Sequence, residues 1–188
     1  TVLMLVRTPI YKTNDNIGLK IAKYLLKKGA KINSLDKDKN TALITIIIDP
    51  NNELTKLYLD NGAKINLKNK YGLSALSRAV LGMETHRIIF LLSRGADINV
   101  VDNKGNNLLI RIALHLKSLR KLPKNIKNKL MVKQLNEMIE KRKKTLIAIS
   151  KILLEKGINV KTKNKAGLTP LEVAKQNGFD ELVELIKE

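Results

Sequence analysis

Two histidines, His86 and His115, are the only residues in this chain whose ordinary pKa suits proton transfer at neutral pH. Neither stands in the His-Glu-x-x-His spacing that would put two imidazoles and a general base on one helical face, and no pair of carboxylates accompanies either. The absence of Cys removes disulfides, thiolate metal sites and cysteine nucleophiles together. Ser and Thr are plentiful, yet none occupies a Gly-x-Ser-x-Gly turn that would present a nucleophile. Phosphate-cradling glycines must open a helix, whereas the Gly-Ala pairs at Gly29, Gly62 and Gly95 follow apolar runs and end them. Asp and Asn recur without the calcium-loop spacing. Both histidines therefore read as surface residues. No catalytic residue, metal site, cofactor or small-molecule substrate is expected, and the chain reads as non-enzymatic.

The chemistry that remains is charge. A formal net charge of +19 points to an acidic protein, nucleic acid or an anionic membrane as partner. Compositional bias competes with that, because Lys far outnumbers Arg and Lys, Ile and Asn fill roughly a third of the chain. With two Phe, four Tyr and no Trp, the core must be built mainly from Leu, Ile, Val and Ala, which suits interlocking helices. The longest apolar runs, 2–6 and 42–48, are too short to cross a bilayer, and no leader is visible. A cytoplasmic location is the default expectation, although the start at Thr1 leaves room for a segment removed upstream.

The elements that must carry this charge repeat. Gly29-Ala30-Lys31-Ile32-Asn33, Gly62-Ala63-Lys64-Ile65-Asn66 and Gly95-Ala96-Asp97-Ile98-Asn99 follow one another at a step of 33 residues, and a weaker copy begins at Gly157. In the same register come Asp36, Asn69, Asp102 and Asn164, short side chains able to close a turn. Helix-capping Thr41, Ser74, Asn107 and Thr169 follow, then Leu43, Leu76, Leu109 and Leu171, each 14 residues past its glycine. Apolar residues continue at helical spacing, as in Leu76, Ala79 and Val80, then Ile88, Leu91 and Leu92 before Gly95. One helix pair cannot bury both faces, so neighbouring pairs must stack.

These motifs resemble the ankyrin-repeat family, most clearly in Gly167-Leu168-Thr169-Pro170-Leu171-Glu172-Val173-Ala174. The resemblance implies an all-α solenoid of about five helix-turn-helix units with β-turn fingers. The units fall near 1–32, 33–65, 66–98, 99–160 and 161–188, in a single domain over 1–188. Ile44, Ser77, Ile110 and Glu172 stand where the family has His, Lys39 replaces the finger glycine and Lys161 the Asn. Distorted turns are expected at the last two.

Two places break the period. An insert near 8–16 reads as a loop. The larger surplus falls at 117–144, where Pro123 and Asn125 suggest a corner between two extended helices forming an antiparallel arm. Leu130, Met131, Leu135, Met138 and Ile139 form an apolar stripe that runs on into Leu146, Ile149, Ile152 and Leu153. The arm is basic: Lys117, Arg120, Lys121, Lys124, Lys127, Lys129, Lys133, Lys141, Arg142, Lys143 and Lys144 face only Glu137 and Glu140.

The resemblance further implies a concave surface of finger tips and first helices that binds a partner protein. Carried across residue by residue, the contact positions are Lys37, Asp38, Asn40 and Ile48, then Lys70, Tyr71, Leu73 and Leu81. Asn103, Lys104, Asn106, Leu114 and His115 follow, and last Lys165, Ala166, Leu168 and Gln176. Lys37, Lys70 and Lys165 share one slot, and Lys68 and Lys163 another, so a basic ladder with Tyr71 as anchor is expected to recognise an acidic segment. The alternative is a nucleic acid or anionic membrane bound by the basic arm.

Overall fold

The computed structural model describes residues 2–5, 17–46, 52–119 and 128–188. Every regular element among them is a helix. A 3-10 turn at Val2–Leu5 precedes α1 (Ile17–Lys27), α2 (Ala42–Thr45), α3 (Glu53–Asp60), α4 (Ala75–Gly82) and α5 (Thr85–Ser93). Then come α6 (Leu108–Leu119), α7 (Lys129–Glu155), α8 (Pro170–Gln176) and α9 (Asp180–Lys187). The chain divides into two compact units, Thr1–Val100 and Val101–Glu188.

Local chemistry fixes the ends of these helices. Thr41, Ser74, Asn107 and Thr169 accept hydrogen bonds from the backbone N–H groups of Ile44, Ser77, Ile110 and Glu172 at 3.3, 3.3, 3.0 and 3.3 Å. Each satisfies a donor that the helix itself leaves open, an effect worth about 1 kcal/mol. Thr169 completes a capping box with Glu172, and Pro170 stands where no N–H is needed. Gly29, Gly62, Gly95 and Gly157 close the second helices with φ of 82°, 81°, 85° and 80°, the left-handed conformation that glycine adopts without a steric cost.

Like helices stack in each unit. In the first, the 3-10 turn packs on α1 and α2, α1 on α3, α2 on α3 and α4, and α4 on α5. In the second, α6 pairs with α7 and α8 with α9, while α6 stacks on α8 and α7 on α9. The repeated Leu43, Leu76 and Leu109 are buried in these seams, and Leu171, in the last pair, is half-buried. Ile88 and Leu91 are also buried, with Leu92 half-exposed. Burial of each such side chain contributes roughly 1.5–3 kcal/mol, so the seams dominate stability. The Tyr58 hydroxyl donates to the Leu3 carbonyl at 3.2 Å, which ties α3 to the first turn.

The finger at Lys39 is not distorted as its sequence suggested. The Lys39 N–H donates to the Asp36 carbonyl at 2.9 Å, the same bond that Gly72, Gly105 and Gly167 make to Asn69, Asp102 and Asn164. Lys39 reaches it at φ 59°, where an L side chain crowds the backbone. Lys39→Gly should therefore raise stability by about 1 kcal/mol, read from the midpoint of urea unfolding. No gain would mean that the strain is absorbed elsewhere. At Lys161 the turn is held instead by Asn159, whose Oδ1 accepts the Lys161 N–H at 2.8 Å.

The insertion extends the second helix of its pair. α7 is one helix of 27 residues in which the insertion and the second helix of its pair are continuous. Asn128 starts it, its Oδ1 accepting from the N–H groups of Leu130 and Met131 at 3.0 and 3.2 Å, and no Gly or Pro interrupts it before Gly157. The apolar stripe is buried only at Leu146, Ile149 and Leu153, while Leu130, Met131 and Met138 are exposed. The corner at Pro123 and Asn125, the insert at 8–16, and Ile48 lie outside the described residues.

Candidate interaction surface

The fingers are built by carboxylates and carboxamides acting on their own backbones. Asp36 Oδ1 accepts from the N–H groups of Asp38 and Asn40, both at 2.8 Å, and Asn69, Asp102 and Asn164 repeat this pair of bonds. Two fingers carry a further link. Asn40 Nδ2 donates to Asp36 Oδ2 at 2.9 Å, and Asn40 Oδ1 accepts from Asn69 Nδ2 at 2.9 Å. Asn106 does the same in the second unit, donating to Asp102 Oδ2 at 3.1 Å and accepting from Asn164 Nδ2 at 3.0 Å. Backbone bonds run alongside, Lys70 N–H to the Asp38 carbonyl and Lys165 N–H to the Lys104 carbonyl, both at 2.9 Å. The fingers thus present their tips as fixed pairs, 36 with 69 and 102 with 164.

In the first unit Lys37, Lys68, Lys70 and Tyr71 are exposed, Tyr71 by 55%. Lys70 is not a free rung. Its ammonium lies 2.6 Å from Asp38 and 5.0 Å from the centre of the Tyr71 ring. Hydrogen bonds to Asp38 and Tyr71 hold its pKa above the ordinary lysine value. Leu73, 8% exposed, and Asn106, 5% exposed, were expected as contacts and instead face inward. Leu73 fills the core behind its finger, and Asn106, like the half-buried Asn40, spends its amide on the ladder. These three act on a partner only through the fingers they brace.

In the second unit Asn103, Lys104, Lys163 and Lys165 are exposed. His115 departs from a surface histidine. It is half-buried on α6, and burial, with the cations Arg142 and Arg111, holds its pKa below the usual value. His86 is exposed at the start of α5. On α7 Lys129, Lys133, Lys141, Arg142 and Lys144 are exposed, Lys143 is half-exposed and paired with Glu140 at 2.5 Å, and Lys117 is exposed on α6. Arg120, Lys121, Lys124 and Lys127 lie outside the described residues.

Several working residues were missed by sequence reasoning. Asn33 and Asn66 act as pincers between neighbouring pairs. Asn33 donates to the Gly62 carbonyl and accepts from Lys64 N–H, both at 2.8 Å; Asn66 does likewise with Gly95 at 3.4 Å and Asp97 at 2.8 Å. They supply bonds between repeats where the family's His is absent. Arg87 and the Arg111–Asp102 ion pair were likewise unforeseen. Among the described residues no cluster of three or more His, Cys, Asp or Glu could hold a metal ion, and no helix is long and apolar enough to cross a membrane.

Comparison with known families agrees with this geometry. The family profile described as ankyrin repeats, in three copies, matches residues 11–102. No curated protein matches the chain. Ankyrin repeats are generally protein–protein interaction modules and typically non-catalytic. With paired fingers, capped helices and stacked seams across the matched span, the chain is an ankyrin-repeat protein.

Proposed function

We propose that the chain is a non-enzymatic interaction module, a single domain over 1–188, whose finger tips and first helices bind an acidic segment of a partner protein. The observation that carries this is the finger pair of the first unit. It offers an exposed aromatic, Tyr71, among exposed lysines on backbones already fixed by hydrogen bonds. Aromatic anchors of this kind dominate binding energy, and a preformed backbone loses little entropy on docking. The lysines mainly raise the association rate.

The partner captured from source-cell lysate by the intact protein supplies the ligand for the test. Simultaneous charge reversal of Lys37, Lys70 and Lys165 should weaken its binding about tenfold or more at low salt and flatten the salt dependence. Unchanged affinity in a calorimetric titration would exclude the fingers.

A second function is favoured by residues 129–144 of α7, where exposed Lys129, Lys133, Lys141, Arg142 and Lys144 are opposed only by Glu137 and Glu140. Such a face can collect phosphates of a nucleic acid or an anionic membrane by counterion release. Reversal of Lys129, Lys133, Lys141 and Lys144 should then shift elution from heparin to clearly lower salt. Equal elution of this variant and the wild type rules out α7 as an anion-binding face.

A further inference from the structure

We infer that Lys104 and Lys165, on the two adjoining finger tips of the second unit, form a paired-ammonium site that receives a carboxylate side chain of the acidic partner. This rests on the docking function proposed above and assigns its charged contact.

The two finger pairs are built alike but charged differently. Lys70 N–H donates to the Asp38 carbonyl, and Lys165 N–H donates to the Lys104 carbonyl, each at 2.9 Å. Lys70 and Lys165 therefore hold one structural slot, and Asp38 and Lys104 the slot facing it. In the first unit the facing residue is an acid, and the pair closes on itself at 2.6 Å. In the second the facing residue is another lysine. The tips approach closely: a Cβ added at Gly105 would lie 3.1 Å from both the Lys165 nitrogen and the Asn164 Cα. Two exposed ammonium groups thus spring from neighbouring backbones in contact.

Asp102, two residues before Lys104, does not neutralise them. Asp102 Oδ1 accepts from the N–H groups of Lys104 and Asn106, and Oδ2 serves the Asn106 amide and the Arg111 guanidinium. Among the described residues no carboxylate pairs with Lys104 or Lys165. A Glu or Asp side chain from outside supplies what Asp38 supplies within the first unit. Each carboxylate oxygen accepts from one ammonium, and the repulsion between the two lysines is relieved.

Fluorescence anisotropy with a labelled decaglutamate peptide at low salt tests the assignment, with circular dichroism confirming that each variant is folded. Lys104→Asp rebuilds the closed pair of the first unit and should weaken binding at least about fivefold. Asp38→Lys creates a second open pair and should strengthen it about twofold or more. Lys129→Asp on α7 makes the same change in net charge as Lys104→Asp and should have a much smaller effect. Failure of the wild type to bind the peptide, or equal effects of Lys104→Asp and Lys129→Asp, would overturn the paired site. If Lys104→Asp leaves both peptide and captured partner unaffected while reversal of Lys37 and Lys70 weakens the partner, finger docking survives and the paired site does not. If no finger variant weakens the partner, the docking function itself falls.

Discussion

Arg87→Met lowers the stability of the first unit by about 3–5 kcal/mol, the largest effect expected of any single polar substitution in this chain. Arg87 lies in the first turn of α5 and is only 1% exposed. Its guanidinium donates to the carbonyls of Ile46 and Leu43, both at 2.7 Å, and pairs with Glu84 at 3.3 Å. Leu43 lies in α2, a helix of only four residues, and Ile46 is the residue that caps its C-terminal end. Arg87 thus caps the C-terminal end of α2 from outside and joins α5 to the preceding pair, α2 with α3. Met fills a similar volume but donates nothing to the two buried carbonyls and removes the ion pair with Glu84. Arg87→Lys keeps the charge on a single ammonium, which reaches fewer acceptors, and recovers about half of the loss. Urea unfolding followed by circular dichroism measures the change, and hydrogen exchange locates it, with α2 and α4 losing protection before α8 and α9. A loss below about 1 kcal/mol would show that the carbonyls are satisfied without the guanidinium.

Legibility in the sequence followed the range of each interaction. Caps, closing glycines and buried leucines are local or periodic signals, and Thr41, Gly62 and Leu76 stand where their spacing placed them. Arg87 was not legible because its acceptors lie 41 and 44 residues away and are backbone atoms that any sequence would provide. The finger ladder was half legible. Asn stands at positions 40 and 106, where the turn residue is Asp, and Leu at 73 and 168, where it is Asn. This alternation is visible in the sequence, and its cause is chemical: a carboxylate has a second oxygen for a neighbouring amide, whereas a carboxamide presents a donor there. The candidate contacts Leu73 and Asn106 failed because slots equivalent along the chain are not equivalent in exposure once side chains serve the ladder. The length of α7 was legible from the apolar stripe that runs from Leu130 into Leu153 and from the absence of Gly or Pro between Asn128 and Gly157.

The ladder also sets the response to acid. Burial is the largest single influence on Asp102 and pushes its pKa up; the bonds from Asn106, Lys104 and Arg111 outweigh it, so the folded-state pKa lies below the ordinary aspartate value. A carboxyl whose pKa is depressed by folding stabilises the native state above its unfolded pKa of about 3.9, and that stability is lost as pH falls through the lower folded value. Asp36 shifts in the same direction, through Asn40 and the N–H of Asp38. Asp102→Ala removes an acceptor serving two N–H groups, an amide and a guanidinium, and should cost about 2–4 kcal/mol at neutral pH. Asp102→Asn keeps the bonds to the Lys104 and Asn106 N–H groups, as Asn69 does in its own finger. It turns an amide donor toward Asn106 and Arg111, so its cost should fall between wild type and Asp102→Ala. Both variants should lose less stability than the wild type when urea unfolding is repeated from pH 6 down through the acid range, because the titrating group is gone. Parallel losses in wild type and Asp102→Ala would show that the carboxylate is not held by the ladder, and that the fingers owe their geometry to backbone bonds alone.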